Sequence, residues 1–240
     1  MAETTETGPV VFISGGAGNL GRAVTRAFLE AGWRAAVALH HTDAKNALDA
    51  LTTEFPGRLT SFLLDLTTER GAEAAVRQTA EWGERIDAVA HLMGAWQGGT
   101  KVGETPTELW DRMMDVNLKS AFLLSRAAIP PMLDAGGGAL VFVSSRTARV
   151  DRAGMAPYAV SKAGLLVLAE TIAEEYRDRG VRANAVLPGT IDTPANRAAM
   201  PNAHHERWTA PEEIARAVVF LASPAASAVN GAGVPVYGRS

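Results

Sequence analysis

The sequence predicts an α/β fold in which one doubly wound parallel β-sheet carries helices on both faces. Short β-branched runs alternate with Ala-rich amphipathic stretches along the chain, a rhythm typical of strands joined by helical crossovers. The candidate strands are almost continuously apolar, as strands covered on both faces must be. Because no linker divides the 240 residues and 47% of them are hydrophobic, we expect a single domain spanning residues 1–240.

The expected elements follow in order from the spacing of apolar residues and the turn residues between them. Strands are predicted at Val10–Ile13, Ala35–Leu39, Leu59–Leu64, Ile86–Leu92, Ala139–Ser144, Val181–Leu187 and Val234–Tyr237. Helices are predicted at Arg22–Glu30, Ala44–Glu54, Glu69–Trp82, Met155–Tyr176 and Pro211–Leu221, with two more filling Thr107–Leu133. Asp43 is interpreted as the N-cap of the second helix. Residues 1–8 are expected to be flexible, and the polar residues 190–209 predict a mobile loop on the substrate side.

Composition and charge exclude several classes of partner. A net charge of −3 gives no attraction for phosphate backbones or anionic membranes, so neither nucleic acid nor a membrane is an expected partner. Without cysteine there is no disulfide, no thiolate nucleophile and no Cys-ligated zinc. His204 and His205 are adjacent and cannot share an ion as an i, i+4 helix pair can, so no metal is expected. With no signal-peptide pattern and no membrane-length apolar run, we expect a cytoplasmic protein that acts on a small molecule.

A glycine-rich turn follows the first predicted strand directly and opens a predicted helix. It reads Ser14-Gly15-Gly16-Ala17-Gly18-Asn19-Leu20-Gly21. Glycines let the backbone approach a pyrophosphate, and the helix N-terminus offers free N–H groups and a positive dipole end. Gly16, Gly18 and Gly21 fit the fingerprint G-x-G-x-x-G, although a tight turn without a ligand is the alternative. The strand-to-helix context favours a dinucleotide site in a Rossmann-type fold.

The end of the second strand bears on the choice of coenzyme. A carboxylate that would hold the adenosine ribose hydroxyls is expected there, but the sequence has Leu39-His40-His41. Losing the carboxylate removes a repulsion against a 2′-phosphate, and His40 could donate a hydrogen bond to one. We therefore predict that NADP(H) is preferred over NAD(H). Exposed loop polarity explains His40 and His41 equally well.

Tyr158 and Lys162 lie four residues apart in a helical stretch, so their side chains share one helix face. A phenol has a reference pKa of about 10, and an adjacent ammonium favours its ionised form. Ser145 ends a predicted strand, at the sheet edge where ligands bind in such folds. Taken singly, a solvated helix face would explain the pair, and a turn or cap would explain Ser145. Together the three residues indicate an acid/base site.

These residues resemble the short-chain dehydrogenase/reductase family from about Val10 to Gly238. Ser14-Gly15 with Gly21 resembles the family turn T-G-x-x-x-G-x-G, and the stretch from Asn184 through Pro188-Gly189 to Thr193 resembles its sixth-strand motif. The resemblance implies a catalytic set of Asn117, Ser145, Tyr158 and Lys162. It also implies a coenzyme-binding set of Ser14, Gly15, Gly18, Asn19, Leu20, Gly21, His40, Asp65, Leu66, Gly94, Tyr158, Lys162, Pro188, Gly189, Ile191 and Thr193.

The resemblance implies a role for each catalytic residue. Tyr158 would exchange a proton with the substrate oxygen while a hydride passes between the nicotinamide and the carbon. Ser145 would hydrogen-bond the same oxygen, and Lys162 would bind the nicotinamide ribose and lower the pKa of Tyr158. Asn117 would hold a water in a proton relay. The implied enzyme is a carbonyl reductase or 3-oxoacyl-type reductase that forms a homotetramer or a dimer.

Two other activities compete with this interpretation. Related enoyl reductases space their tyrosine and lysine more widely than Tyr158 and Lys162, which disfavours an enoyl reductase. A catalytically silent NAD(P)-sensing module of the same fold is the alternative from another class. It would have no chemical reason to keep Ser145 together with this pair.

The sequence departs from the family pattern in two places. Asn19 replaces the second glycine of the turn, and we expect it to be tolerated because Asn accepts left-handed dihedrals. His91-Leu92-Met93-Gly94 stands where the family has N-N-A-G, and a buried, hydrogen-bonded structural role is favoured for His91 over a catalytic one. Arg146 either recognises an acidic substrate or pairs with a neighbour. By analogy Trp96, Met155 and the loop Ala195–Met200 line the substrate pocket.

Overall fold

The computed structural model of the chain describes residues 8–239, and these confirm the predicted α/β architecture. The strands are β1 Val10–Ser14, β2 Arg34–Leu39, β3 Leu59–Leu63, β4 Ala88–His91, β5 Gly138–Val143, β6 Val181–Pro188 and β7 Gly233–Val236. The helices are α1 Asn19–Glu30, α2 Asp49–Glu54, α3 Glu69–Gly83, α4 Thr107–Met114, α5 Ser120–Asp134, α6 Ala156–Glu175, α7 Pro194–Ala199 and α8 Pro211–Ala222. Residues 1–7 of the segment expected to be flexible lie outside the described residues.

The seven strands form one parallel sheet in the order β3-β2-β1-β4-β5-β6-β7. Successive side chains of a strand point to opposite faces, so Val11 and Ile13 pack under α1 and α8, whereas Phe12 packs with α3, α5 and α6. The sheet is therefore buried on both sides, which is the predicted doubly wound, Rossmann-type arrangement. The strand order reverses between β1 and β4, and the crevice outside their carboxyl ends is where such folds bind ligands.

The predicted helix Ala44–Glu54 is wrong in its first half. A 3₁₀ turn occupies Thr42–Leu48, and only Asp49–Glu54 is α-helical. The N-cap position is His41, and it makes no side-chain cap hydrogen bond, so Asp43 is not the cap. Thr42, Asp43 and Asn46 have low helix propensity and interrupt the Ala-rich segment, which favours the tighter 3₁₀ form.

The segment 190–209 has more structure than the weak pattern predicted. It contains the short helix α7 and a 3₁₀ turn at His205–Arg207. Thr193 caps α7 by accepting a hydrogen bond from Asn196 N at 3.2 Å, and Pro194 occupies the first helical position. A capping threonine followed by proline is a helix-start signal that the periodicity argument overlooked.

Candidate active site

The glycine turn after β1 has a shape that only small residues allow. Gly15 has a left-handed backbone with φ of +71°, and a Cβ on Gly21 would lie 2.0 Å from the Gly15 carbonyl oxygen. Gly18 is the N-cap of α1, is exposed, and provides no side-chain cap for the first turn. The first N–H groups of α1 are therefore open to an anionic group, so the turn fits the diphosphate of a dinucleotide.

Asn19 does not adopt the left-handed dihedral that the sequence predicts for it. Asn19 is the first residue of α1, and its φ is not positive. Its exposed side chain accepts a hydrogen bond from Arg22 Nη2 at 3.3 Å. No left-handed dihedral is needed at this position, so the turn accommodates a side chain there without strain.

Ser14 and His91 hold the turn from beneath. The Ser14 side chain is fully buried, and its hydroxyl lies 3.0 Å from His91 Nδ1. His91 is also fully buried, and burial together with the charge of Lys162 lowers its pKa to about 3. The preferred interpretation of His91, a buried and hydrogen-bonded histidine, is confirmed. The Ser14 hydroxyl is engaged within the sheet and stabilises the turn from inside.

The adenosine end of the predicted coenzyme site is polar and open. His40 is exposed at the end of β2, and its charge helps to hold the pKa of Asp65 below the ordinary value. The larger cause is Thr67, whose hydroxyl and N–H donate to the Asp65 carboxylate at 2.6 and 3.0 Å. Leu66 packs in the core, so only its backbone is available to a ligand.

The catalytic corner is formed where β5 ends and α6 begins. Ser145 accepts a hydrogen bond from Thr147 N at 3.1 Å and is also hydrogen-bonded to the Tyr158 hydroxyl. Burial raises the pKa of Tyr158 above its ordinary value, and the bond with Ser145 only partly opposes this rise. The expected lowering of the Tyr158 pKa by Lys162 is therefore wrong. Lys162 Nζ lies 6.0 Å from the centre of the Tyr158 ring and is not among the causes of this pKa shift, which desolvation of the phenolate dominates.

Lys162 is hydrogen-bonded to the end of β5 through both its side chain and its backbone carbonyl. Its Nζ donates to the Val143 carbonyl at 2.9 Å, and its own carbonyl accepts from the Ser144 hydroxyl at 2.7 Å. Burial lowers the pKa of the Lys162 ammonium to about 8. A Cβ on Gly94 would lie 2.9 Å from this Nζ and 3.1 Å from Asn117 Oδ1, which explains why glycine is the residue kept from the family pattern.

Asn117 joins three elements of the site. It lies in a π turn at Asp115–Lys119, between α4 and α5, and its side chain is fully buried. Its Oδ1 accepts from Ala95 N at 2.7 Å, and its Nδ2 donates to the Ala95 carbonyl at 3.1 Å and to the Ser161 hydroxyl at 2.9 Å. Both amide hydrogens are engaged, and Oδ1 keeps one lone pair for a further donor. Single-turn π bulges of this kind are frequent at functional sites.

The sixth-strand motif connects the sheet to the substrate-side segment. The Asn184 amide donates to the Val229 carbonyl and accepts from Ala232 N, both at 2.9 Å, which joins β6 to the chain leading into β7. Pro188 ends β6, and Gly189 N donates to the Val236 carbonyl at 3.2 Å. Ile191 is half-buried against the core and bridges to Thr209. These bonds hold the motif at the carboxyl edge, beside the catalytic corner.

Two of the expected pocket residues, Trp96 and Met155, lie near each other around Gly98. A Cβ on Gly98 would lie 2.8 Å from Met155 and 3.5 Å from the Trp96 ring. Arg146 forms an ion pair with Asp151 at 3.1 Å and packs over the Tyr237 ring. The structure thus shows the pairing alternative for Arg146.

Residues 8–239 contain neither a membrane-spanning helix nor a cluster of metal-binding side chains. No helix within residues 8–239 has both the length and the apolar character needed to cross a bilayer. In the same part of the chain, no three His, Cys, Asp or Glu side chains are grouped in a way that could hold a metal ion.

Sequence pattern missed several residues of the site. Ser144, Ser161 and Ser120 each make a buried hydrogen bond to the catalytic corner or to the histidine beneath it. Ser161 lies between Tyr158 and Lys162 in sequence, but the helical spacing does not predict its hydrogen bond with Asn117. No local signal identifies Ser120, because its partner is 29 residues away.

Known proteins resemble this chain along nearly its whole length. Residues 15–238 match a family model described as enoyl-(acyl carrier protein) reductase. The 3-oxoacyl-[acyl-carrier-protein] reductase FabG of Thermotoga maritima is 31% identical over 242 residues, covering 96% of this chain and 97% of that protein. The D-threitol dehydrogenase of Mycolicibacterium smegmatis is 30% identical over 240 residues, covering 96% and 92%. The structure of ElxO with NADP bound has a TM-score of 0.91 at 20% identity, over 97% of this chain and 98% of that one.

Proposed function

Since the chain belongs to the short-chain dehydrogenase/reductase family of oxidoreductases, we propose that it transfers a hydride between NADP(H) and a carbonyl or secondary alcohol. The observation that carries this proposal is the Tyr158 hydroxyl, hydrogen-bonded to Ser145 and next to the buried ammonium of Lys162. The coenzyme, when bound, supplies or accepts the hydride. One domain would hold both the coenzyme and the catalytic residues.

Tyr158 acts as the general acid when a carbonyl is reduced. Because burial raises the pKa of Tyr158 above its ordinary value, the phenol keeps its proton and can donate it to the substrate oxygen. Ser145 donates a second hydrogen bond to that oxygen and stabilises the charge that builds on it. In the reverse direction Tyr158 must first lose its proton, so alcohol oxidation is expected to need higher pH than carbonyl reduction.

Lys162 and Gly94 serve the coenzyme side. With a pKa of about 8, Lys162 is mainly cationic at neutral pH and donates to ribose hydroxyls. Gly94 leaves room for its Nζ, as the 2.9 Å contact of an added Cβ demonstrates. Asn117 would hold a water through the remaining lone pair of Oδ1, and the turn Gly15–Gly21 would bind the diphosphate through backbone N–H groups.

NADP(H) is proposed in preference to NAD(H). The end of β2 carries the exposed His40 and no carboxylate, so a 2′-phosphate meets no negative charge from that strand. NADP is the coenzyme named for ElxO. Separate titrations with NADPH and NADH test the preference, and the variant His40→Asp should weaken NADPH more than NADH. Equal affinities for the two coenzymes in the wild-type protein would contradict it.

A 3-oxoacyl thioester or a related ketone is the proposed substrate class. One 31%-identical relative is a 3-oxoacyl-[acyl-carrier-protein] reductase, and a second is a polyol dehydrogenase. The family model bears an enoyl-reductase description, but the four-residue spacing of Tyr158 and Lys162 favours chemistry at a carbonyl. We further propose a cytoplasmic homotetramer or dimer, with contacts through α4, α5 and α6.

Turnover of a substrate panel tests the proposal directly. NADPH and NADH absorbance would be followed with ketones, 3-oxoacyl thioesters and enoyl thioesters, and NADP⁺ reduction with secondary alcohols. Tyr158→Phe should lower kcat by about 10²- to 10⁴-fold, the usual contribution of a positioned acid. Tyr176→Phe, at the C-cap of the same helix and outside the site, is the matched control. Coenzyme binding without any turnover would favour the sensing module, and an unchanged rate in Tyr158→Phe would exclude the mechanism.

A further inference from the structure

His91 lies at the end of β4, between β1 and the start of α5. It is fully buried, with Nδ1 3.0 Å from the Ser14 hydroxyl and Nε2 3.3 Å from the Ser120 hydroxyl. Both ring nitrogens therefore have a hydroxyl partner, on two different elements. The direction of the two hydrogen bonds follows from what each hydroxyl already does.

The Ser14 hydroxyl donates to His91. Its oxygen already accepts the Met93 N–H at 3.1 Å and, also at 3.1 Å, the Leu92 N–H, which it shares with the Ser14 carbonyl at 3.2 Å. A hydroxyl has two lone pairs and one hydrogen, so its hydrogen is what remains for the imidazole. Nδ1 of His91 is therefore an acceptor and carries no proton.

The Ser120 hydroxyl can only accept from His91. Its hydrogen is donated to the Val116 carbonyl at 2.6 Å, so the bond to His91 requires a proton on Nε2. Both ends of the ring thus specify one species, the neutral imidazole protonated at Nε2. Burial and the positive charge of Lys162, which lower the His91 pKa, act in the same direction.

The two ends of this chain of bonds serve different parts of the proposed site. Ser14 precedes the glycine turn, so its hydroxyl fixes where that turn leaves the sheet relative to β4. Val116 belongs to the π turn that carries Asn117. The histidine is hydrogen-bonded neither to Gly15–Gly21 nor to Asn117, so its influence passes through the two serines.

We propose that His91 is a positioning residue, which joins the coenzyme turn to the π turn by the one-way chain Ser14 to His91 to Ser120 to Val116. The proposal rests on the proposed function, because it assigns the Ser14 end to coenzyme affinity and the Ser120 end to the proton-transfer step. A purely structural histidine would affect both properties together, in proportion to stability.

Two amide substitutions separate the two ends. In His91→Asn the amide oxygen is bonded to Cγ, as Nδ1 is, and can accept from Ser14 but does not reach Ser120. In His91→Gln the amide nitrogen lies one bond further out, as Nε2 does, and can donate to Ser120. Breaking one buried hydrogen bond corresponds to about a tenfold effect.

The two amide variants are therefore expected to have opposite effects on coenzyme affinity and on kcat. His91→Asn should keep the Kd for NADPH within about twofold and lower kcat about tenfold, whereas His91→Gln should do the reverse. His91→Leu, which keeps neither bond, should show both losses. Equal losses of affinity and kcat in the two amide variants would overturn the proposal.

A spectroscopic measurement tests the chain without turnover. Side-chain ¹⁵N spectra of the histidine-labelled protein should show His91, assigned by its loss in His91→Asn, as the neutral Nε2–H form. Ser120→Ala should shift its Nε2 signal and lower kcat about tenfold. Ser125→Ala is the control, because Ser125 is also a buried α5 serine that donates to a carbonyl four residues earlier, at 2.7 Å, with no histidine partner.

The outcomes distinguish this proposal from the proposed function. If the wild-type protein neither binds NADPH nor turns over any substrate, the function fails, while the ¹⁵N spectra still test the chain. If the wild-type protein is active but His91 is protonated at Nδ1, or Ser120→Ala and Ser125→Ala behave alike, the positioning role is excluded. If the amide variants are too unstable to assay, the Ser120 and Ser125 pair decides.

Discussion

The catalytic corner and the substrate-side segment 190–209 are neighbours at one edge of the sheet, but they are stabilised in different ways. The corner depends on buried bonds between distant residues, such as that from Lys162 to the Val143 carbonyl 19 residues earlier. The ends of the segment are held by Thr209, which is buried and donates to the Val236 carbonyl, whereas its middle has exposed, local contacts such as the bidentate pair of Arg197 with Asp192, five residues away. The difference teaches that the geometry of the catalytic corner is constrained by the whole fold, whereas the middle of the segment 190–209 is open to local change.

The largest effect is expected from a change in the glycine turn Gly15–Gly21, which is constrained by close backbone contacts. In Gly21→Ala the new Cβ would lie 2.0 Å from the Gly15 carbonyl oxygen, so the turn must shift. A displacement of this order is expected to cost about a hundredfold or more in NADPH affinity, together with about 1–3 kcal/mol of unfolding free energy. Calorimetric titration and urea unfolding measure the two effects.

Gly103→Ala is the matched control, because a Cβ there meets nothing within 4 Å and the backbone φ is not positive. It should leave both quantities unchanged. A Gly21→Ala variant with wild-type affinity for NADPH would show that the turn does not bind the coenzyme closely.

The second prediction concerns the titration of Lys162. Its folded-state pKa of about 8 is below the ordinary value, so the ammonium is lost as the pH rises through 8. NADPH affinity should therefore be constant up to about pH 7.5 and fall above pH 8, by up to tenfold per pH unit. Tyr158 does not account for this change, because burial raises its pKa above the ordinary value. The Kd for NADPH measured from pH 6.5 to 9.5 tests it, with Lys162→Gln expected to be weak and independent of pH.

The third prediction concerns the pH dependence of the free energy of unfolding that the buried, neutral His91 causes. Its folded-state pKa is about 3, while an unfolded histidine titrates near 6.5. Below pH 6.5 the unfolded chain therefore binds a proton that the folded protein does not, so stability falls as pH decreases. The extra loss relative to His91→Asn should approach about 1.4 kcal/mol per pH unit. Urea unfolding of both proteins between pH 7 and 4.5, at one concentration, would detect it, and parallel curves would contradict a neutral buried His91.

Sequence pattern was sufficient where the physical signal is local. Continuous apolar runs located the five inner strands, because a parallel strand buried on both faces needs no partner to be recognised, whereas the edge strands β3 and β7 are only partly buried. The spacing of Tyr158 and Lys162 located the acid/base pair for the same reason, since a helix turn brings i and i+4 together. The direction of the Tyr158 pKa could not be read in this way, because it depends on burial by residues far along the chain.

The remaining errors have particular physical causes. The helix at Pro194 was overlooked because six residues are too few to show a 3.6-residue period, although the capping Thr193 was visible. Asn19 was explained by a left-handed dihedral that the helix start makes unnecessary. The role of Ser120 depends on a histidine 29 residues away in sequence, and no local pattern reports such a contact.

The smallest expected effect comes from the exposed segment. Arg197→Ala removes the bidentate pair with Asp192, whose side chains are 52% and 27% exposed, so water screens the lost attraction. We expect the KM for an acyl substrate to change about two- to fivefold, with kcat and the thermal midpoint unchanged, because the pair lies on the proposed substrate loop. Arg26→Ala removes another exposed bidentate pair, with Glu54, and should alter none of these quantities. If Arg197→Ala instead lowered kcat as much as changes at Lys162 do, the segment would belong to the catalytic machinery, and the contrast between the two regions would fail.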